Sequence, residues 1–393
     1  MKKEVVIEVK DAKAKEAINS FLESLLEKNL VSALLVPREV PSKDNVVQNL
    51  MTNSNLPVRG PVCRAGTGRR MQTGGLKEVN VISPVLPVSS ARIISQMTRL
   101  SSYKNPVGVV LRSCEIRALI ELVKLKQASL DNLLIIGVDC LGTYSISDYQ
   151  DLCKQGNSPS DELLRKFKEG GEDTKLRKAC QVCEYPIPSN ADLVIGLVGV
   201  DFEKNILLKS GTEKGEKILE KFSFLEFDQS KREESVSKYL SKKIEKRDTL
   251  FSEMKGEVSG WENLLSVFST CINCHNCMRV CPLCYCRECF FESPTFEFDS
   301  EKYLLWAKRK GSIKMPRDTT LFHLGRMSHM ATSCVGCGLC EQACPSNIPL
   351  LKIFKTVSYD VQQIFKYVPG RDLEEPLPLT TFKEDELRSV GEE

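Results

Sequence analysis

Residues Cys271 to Pro345 constrain this chain more than any others. They contain CINCHNCMRVCP (271–282) and CVGCGLCEQACP (334–345), two copies of the pattern C-x-x-C-x-x-C-x-x-x-C-P. Three thiolates spaced by two residues can close around three corners of a [4Fe–4S] cube, and the fourth cysteine is directed to the cube of the other run. The spacing therefore assigns Cys271, Cys274, Cys277 and Cys344 to one cluster. It assigns Cys334, Cys337, Cys340 and Cys281 to the other. Pro282 and Pro345 end the two loops, since proline lacks an N–H and restricts the residue before it. Paired zinc sites are the competing use of C-x-x-C. The third C-x-x-C step and the C-x-x-x-C-P ending favour iron–sulfur.

The 393 residues allow two or three domains. A net charge of +3 argues against nucleic acid as a partner. No apolar run nears the roughly 20 residues of a spanning helix. The apolar run in MKKEVVIEVKDAK is short and interrupted by Glu8 and Lys10, unlike a signal peptide. Seventeen cysteines without an export signal suggest a reducing cytoplasm and metal ligation rather than disulfides.

Periodicity predicts strands at 4–9, 31–36, 107–112, 133–138, 192–200 and 205–208. It predicts helices at 12–29, 89–102, 114–127 (capped by Ser113), 213–222 and 233–254. Residues 38–60 read as an excursion loop. The expected fold is an α/β N-terminal domain with a mainly parallel sheet, followed by a helical two-[4Fe–4S] ferredoxin module. Short helices at 261–270 and 319–331 lead into the two cysteine runs. The expected units are 1–255, 256–368 and a flexible tail, 369–393.

Cys140, Cys153, Cys180 and Cys183 form a further set, the last two as C-x-x-C. They suit a third [4Fe–4S] cluster, a zinc site or, at Cys180 and Cys183, a redox dithiol. RAGTGRRMQTGG offers Gly66, Gly68, Gly74 and Gly75 for close backbone approach, with Arg69 and Arg70 for phosphate charge. A plain surface turn explains it equally. Arg112, Ser113, Cys114 and Glu115 lie at a strand end, where open α/β sheets bind ligands. Cys284, Cys286 and Cys289 have no assigned role.

LRSCEIRALIELVKL, IIGVDCLGTYS and CQVCEYPIPSNADLVIGLVGVD resemble the coenzyme F420 hydrogenase/dehydrogenase beta-subunit family over roughly residues 10–355. The resemblance implies an α/β domain carrying FAD, with a [4Fe–4S] cluster at Cys140, Cys153, Cys180 and Cys183, and hydride exchange between FAD and the deazaflavin coenzyme F420. Many members carry a Gly-Gly-Thr-rich turn before the first helix. Here that position reads VKDAKAKEAINSF, and the glycines at 66–75 are the candidate replacement.

A flavin exchanges hydride with a two-electron carrier and passes single electrons to clusters. The expected role is thus an electron-transfer subunit with three clusters, partnered by a catalytic formate dehydrogenase or hydrogenase subunit. Two alternatives remain at this point. One is a flavin-free multi-cluster ferredoxin adaptor. The other is an NADH-linked flavin branch of a heterodisulfide-reductase-type complex. No catalytic side-chain constellation stands out in the sequence.

Overall fold

A computed structural model describes residues 3–52, 76–171, 173–222, 225–226, 230–258, 260–296, 299–311 and 318–381. The strands are β1 (Glu4–Glu8), β2 (Ala33–Glu39), β3 (Val46–Thr52), β4 (Val107–Arg112), β5 (Leu133–Val138), β6 (Leu193–Gly196), β7 (Asn205–Ser210) and β8 (Leu225–Glu226). They form one sheet in the order β3-β2-β4-β5-β6-β7-β1-β8. Its centre, β2-β4-β5-β6, is parallel. Antiparallel strands flank that centre on both sides. β6 and β7 are joined by a short connection, which suits antiparallel pairing, whereas parallel neighbours need a crossover.

Helices α1 (Ala14–Glu27), α2 (Ser90–Thr98), α3 (Ser113–Lys124), α4 (Ile146–Lys154), α5 (Pro159–Lys168), α6 (Lys178–Gln181), α7 (Glu213–Leu219) and α8 (Ser230–Glu257) belong to the sheet region. The C-terminal region is helical: α9 (Trp261–Phe268), α10 (Asn276–Arg279), α11 (Ser300–Lys310), α12 (Asp318–Met330), α13 (Leu339–Gln342) and α14 (Leu350–Ile364).

Alternating strand residues supply two cores, as the period of two requires. Leu34, Val36, Leu134 and Ile136 join α1 residues Ile18, Phe21, Leu22 and Leu25 on one face. Ala33, Leu35, Leu133 and Ile135 join α3 on the other. That second core continues without a break into Phe268, Phe322, Leu350 and Phe354 of the C-terminal region. The cysteine runs are therefore seated directly against one face of the sheet.

The segment expected as an excursion loop contains β3, an antiparallel edge strand on β2. Only Val46 of β3 is fully buried, so the segment lacks the apolar alternation by which a strand is read. The start of the expected flexible tail is also packed. The Gly370 N–H donates to the Glu121 carboxylate (2.8 Å), and Arg117 Nε donates to the Pro369 carbonyl (2.8 Å).

Candidate redox sites

The two cysteine runs fold alike. Asn273 and His275 in the first, and Gly336 and Gly338 in the second, are left-handed, with φ of 54°, 57°, 68° and 70°. Glycine and asparagine tolerate this region best. Alternating right- and left-handed residues turn successive N–H groups inward as an anion-binding concavity. The Asn273 N–H accordingly points to the Cys271 sulfur (3.4 Å). The Gly336 and Leu339 amides bond the Cys334 and Cys337 sulfurs.

One cavity is lined by Cys271, Cys274, Cys277 and Cys344, with Phe322, His323 and Pro345 around them. His323 Nε2 is 3.3 Å from the Cys271 sulfur, and its ring stacks on Phe268 at 4.2 Å. Burial pushes the Cys277 thiol up to about 11, against the opposing pull of Arg326. Cys281 is an electrostatic neighbour of Cys334, Cys337 and Cys340, and all four are half-buried. A hydrogen bond from Cys284 lowers the Cys281 thiol to about 6. The remaining thiols of this segment differ in surroundings. Cys284 packs on the Met330 sulfur (3.6 Å), Cys289 packs on the Met278 sulfur (3.6 Å), and Cys286 is exposed.

The other cysteine cavity departs from the spacing-based set. Cys140, Cys180 and Cys183 line it together with Cys114, Arg112, Arg177, Lys243 and Cys337. Cys153 is elsewhere. It sits in the last turn of α4, packs into the opposite core, and directs its Sγ to the Lys43 carbonyl (3.2 Å). Cys114 is present because α3 starts directly at the end of β4. Arg112 there pairs in register with Val138, two residues before Cys140. Adjacent parallel strand ends thus bring the two cysteines together.

Burial lifts the Cys140 thiol to about 11. At Cys180 burial also opposes ionisation, but Arg177, Thr143 and Lys243 more than offset it, and the thiol is lowered. Arg177 Nε bonds Thr143 Oγ1 at 2.8 Å, which holds the guanidinium over the cavity. Gly336 and Cys337 in the same lining make this cavity the direct neighbour of the Cys334 set.

Among the described residues no group of three or more His, Cys, Asp or Glu side chains is arranged to hold a single metal ion. The cysteines stand around cavities instead, with buried arginines and inward amides. That donor chemistry fits [4Fe–4S] clusters, which take four thiolates and tune potential through hydrogen bonds to sulfur.

The remaining candidate ligand residues divide. Gly66, Gly68, Arg69, Arg70, Gly74 and Gly75 lie outside the described residues. Arg112 and Glu115 are buried and occupied locally. Arg112 Nη2 donates to the Ser83 and Val85 carbonyls (2.5 and 3.1 Å). Glu115 accepts the Ser90 and Arg112 amides (2.7 and 3.0 Å). The Ser113 hydroxyl reaches the Ile187 carbonyl at 3.4 Å. Arg112 and Ser113 line the cysteine cavity.

Residues 267–348 match the 4Fe-4S dicluster domain, and residues 105–231 match the C terminus of the coenzyme F420 hydrogenase/dehydrogenase beta subunit. The chain is 27% identical over 390 residues to the F420-dependent formate dehydrogenase subunit beta of Methanocaldococcus jannaschii, covering 91% of this chain and 92% of that one. The chain is thus similar to the coenzyme F420 hydrogenase/dehydrogenase beta subunits, through the family segment at 105–231 and through a relative aligned over nearly its whole length. A second relative, the F420-dependent formate dehydrogenase 1 subunit beta of Methanococcus maripaludis, is 28% identical over 304 residues, covering 69% and 74% of the two chains. A solved chain from the F420-reducing [NiFe] hydrogenase complex of Methanosarcina barkeri aligns over 65% of this chain and 92% of that one, with 14% identity and a TM-score of 0.44. The family segment contains Cys114, Cys140, Cys180 and Cys183, and the dicluster segment contains both C-terminal runs. Among the described residues no helix is long and apolar enough to cross a membrane.

Proposed function

We propose that this chain is the electron-transfer subunit of an F420-linked oxidoreductase of the formate dehydrogenase or hydrogenase type. It would carry three [4Fe–4S] clusters and FAD, act in the cytoplasm and deliver electrons to a catalytic partner subunit. The family match and the formate dehydrogenase relatives support this reading. The observation that carries it is the succession of cysteine cavities. Cys114, Cys140, Cys180 and Cys183 stand beside Cys337, and Arg326 links the Cys281 neighbourhood to Cys277.

FAD supplies the conversion between hydride and single electrons when bound. The chain's own residues do the rest. Cys114, Cys140, Cys180 and Cys183 would hold the cluster in the sheet region, with Arg177 and Lys243 offsetting its negative charge. Cys334, Cys337, Cys340 and Cys281 would hold the next, and Cys271, Cys274, Cys277 and Cys344 the third. The partial burial of these thiols would limit water and help to set the potentials.

Anaerobically reconstituted protein should contain about twelve irons per chain, at four per cluster, and bind FAD. Its visible cluster absorbance should bleach with reduced F420. Full iron, no FAD uptake and no response to F420 would replace this reading with the flavin-free adaptor.

A further inference from the structure

A cleft of about 750 Å³ opens at the C-terminal ends of β5 and β6, where Leu141 and the loop Val198–Phe202 line it. Parallel α/β sheets bind ligands at this edge. One wall is a single face of α8, carrying Lys238, Tyr239, Lys242, Lys243 and Lys246 at spacings of three and four. The facing wall is the end of α5 and the turn after it, with Lys166, Phe167 and Lys168. Phe167 meets Tyr239 edge-on, with ring centroids 5.4 Å apart. The floor is apolar, from Leu141, Leu163 and Leu176.

The charges of the cleft are unbalanced. Lys166 is paired with Glu162 and Asp173 (3.3 Å each), and Lys168 with Glu203. Lys238 and Lys242 have no carboxylate partner among the described residues. A slot with aromatic edges and unpaired ammonium groups suits a flat ring tethered to phosphate. The cleft also adjoins the cysteine cavity. Lys243 lines both, and its Nζ donates to the Cys180 carbonyl (2.5 Å). The Tyr239 hydroxyl reaches the Cys140 carbonyl at 3.4 Å.

We propose that this lysine cleft is the binding site of the phosphate-bearing aromatic hydride carrier, its ring beside Tyr239 and Phe167 and its phosphate toward Lys238 and Lys242. The inference rests on the proposed function and adds the site, on residues separate from the glycine-rich stretch at 66–75. Flavin dinucleotide and deazaflavin share this chemistry, so both are probes.

The test is titration of FAD and, separately, F420 into reconstituted full-length protein carrying Lys238→Glu with Lys242→Glu. Both residues are exposed, so folding is spared. Affinity for at least one carrier should fall about tenfold or more, as expected for lost charge-assisted contacts. Iron content and cluster spectra should be unchanged, and Lys238→Arg with Lys242→Arg should retain binding. Loss of FAD alone assigns the cleft to flavin, and loss of F420 alone assigns it to the deazaflavin. Unaltered binding of both overturns the cleft while leaving the proposed function standing. An equal loss in the charge-matched control Lys217→Glu with Lys221→Glu also overturns it. A wild-type chain that binds neither carrier overturns the proposed function and the cleft together.

Discussion

Arg326 Nη1 lies 3.1 Å from the Cys277 sulfur, inside a guanidinium that is 4% exposed. Its Nη2 donates to the Cys277 carbonyl at 3.2 Å, and its Nε has no partner among the described residues. Cys281, Cys284 and Cys340 are electrostatic neighbours of the same group. One buried cation therefore stands between the two cysteine sets of the dicluster domain. A positive charge favours the reduced, more negative state of a cluster. Unit charges about 8 Å apart at an effective dielectric of ~20 interact by about 2 kcal/mol, or roughly 90 mV for one electron.

Arg326→Gln should thus lower the potentials of the two C-terminal clusters by tens of millivolts, and Arg326→Lys should restore part of the shift. Potentiometric titration followed by electron paramagnetic resonance measures this. Unchanged potentials in a variant with full iron would show that Arg326 only packs between Phe322 and Phe354.

Cluster retention should depend on pH with a definite sign. Burial raises the Cys140 and Cys277 thiols to about 11 and Cys337 to about 12, so these groups are protonated in the cluster-free protein at neutral pH. Ligation requires thiolates and releases their protons. The cluster-bound form is therefore favoured as pH rises toward 11 and disfavoured as it falls, by about 1.4 kcal/mol per pH unit for each such thiol. The gap in thermal midpoint between loaded and cluster-free protein should narrow on acidification. A gap that is constant between pH 8 and pH 6, about two units, would mean that these thiols are already ionised before ligation.

The pattern of legibility follows from how far each constraint reaches along the chain. The two C-terminal runs were legible because each completes its cysteine spacing within a short stretch, whereas the left-handed positions inside them emerged only in the structure. The parallel strands β4 and β5 were legible from continuous apolar runs, VGVVLR and LLIIGV. The nearness of Cys114 to Cys140 was not legible, because the two meet only when neighbouring strand ends are brought into register. Cys153 is near Cys140 in sequence but apart from it in space, because α4 carries it to the other face of the sheet. Periodicity shows α8 only as a helix, and the lysines on one of its faces acquire meaning only opposite α5.

The junction after α14 should be a point of stability. Glu121 is fully buried on α3 and accepts from the Tyr367 hydroxyl (2.5 Å) and the Gly370 N–H (2.8 Å), with Lys124 at 3.6 Å. Removing one member of such a buried charged network costs about 3–5 kcal/mol, because the partners lose their compensation. Glu121→Ala should therefore lower the thermal midpoint markedly, and Tyr367→Phe by the smaller loss of about 1 kcal/mol for one hydrogen bond. Differential scanning of the two variants checks the ranking. Equal effects would locate the stability in the Tyr367 ring rather than in the carboxylate.

The fourth ligand of the cluster proposed for the sheet region gives the sharpest separation between sequence and structure. Spacing selects Cys153, whereas the cavity with Cys140, Cys180 and Cys183 contains Cys114. Cys153 would have to leave its hydrogen bond to the Lys43 carbonyl and cross the sheet to reach that cavity. Cys114 needs no such movement, and burial together with Glu115 and the nearby thiols raises its own thiol, as expected for a cysteine enclosed with others. Cys114→Ser should lower the iron content by about four per chain, one cluster's worth, and Cys153→Ser should leave it unchanged. Loss of the cluster should also cost stability, because ligation free energy is coupled to folding. Iron analysis and cluster spectra of the two variants decide the matter. Iron lost from the Cys153 variant and retained in the Cys114 variant would return the assignment to the spacing-based set.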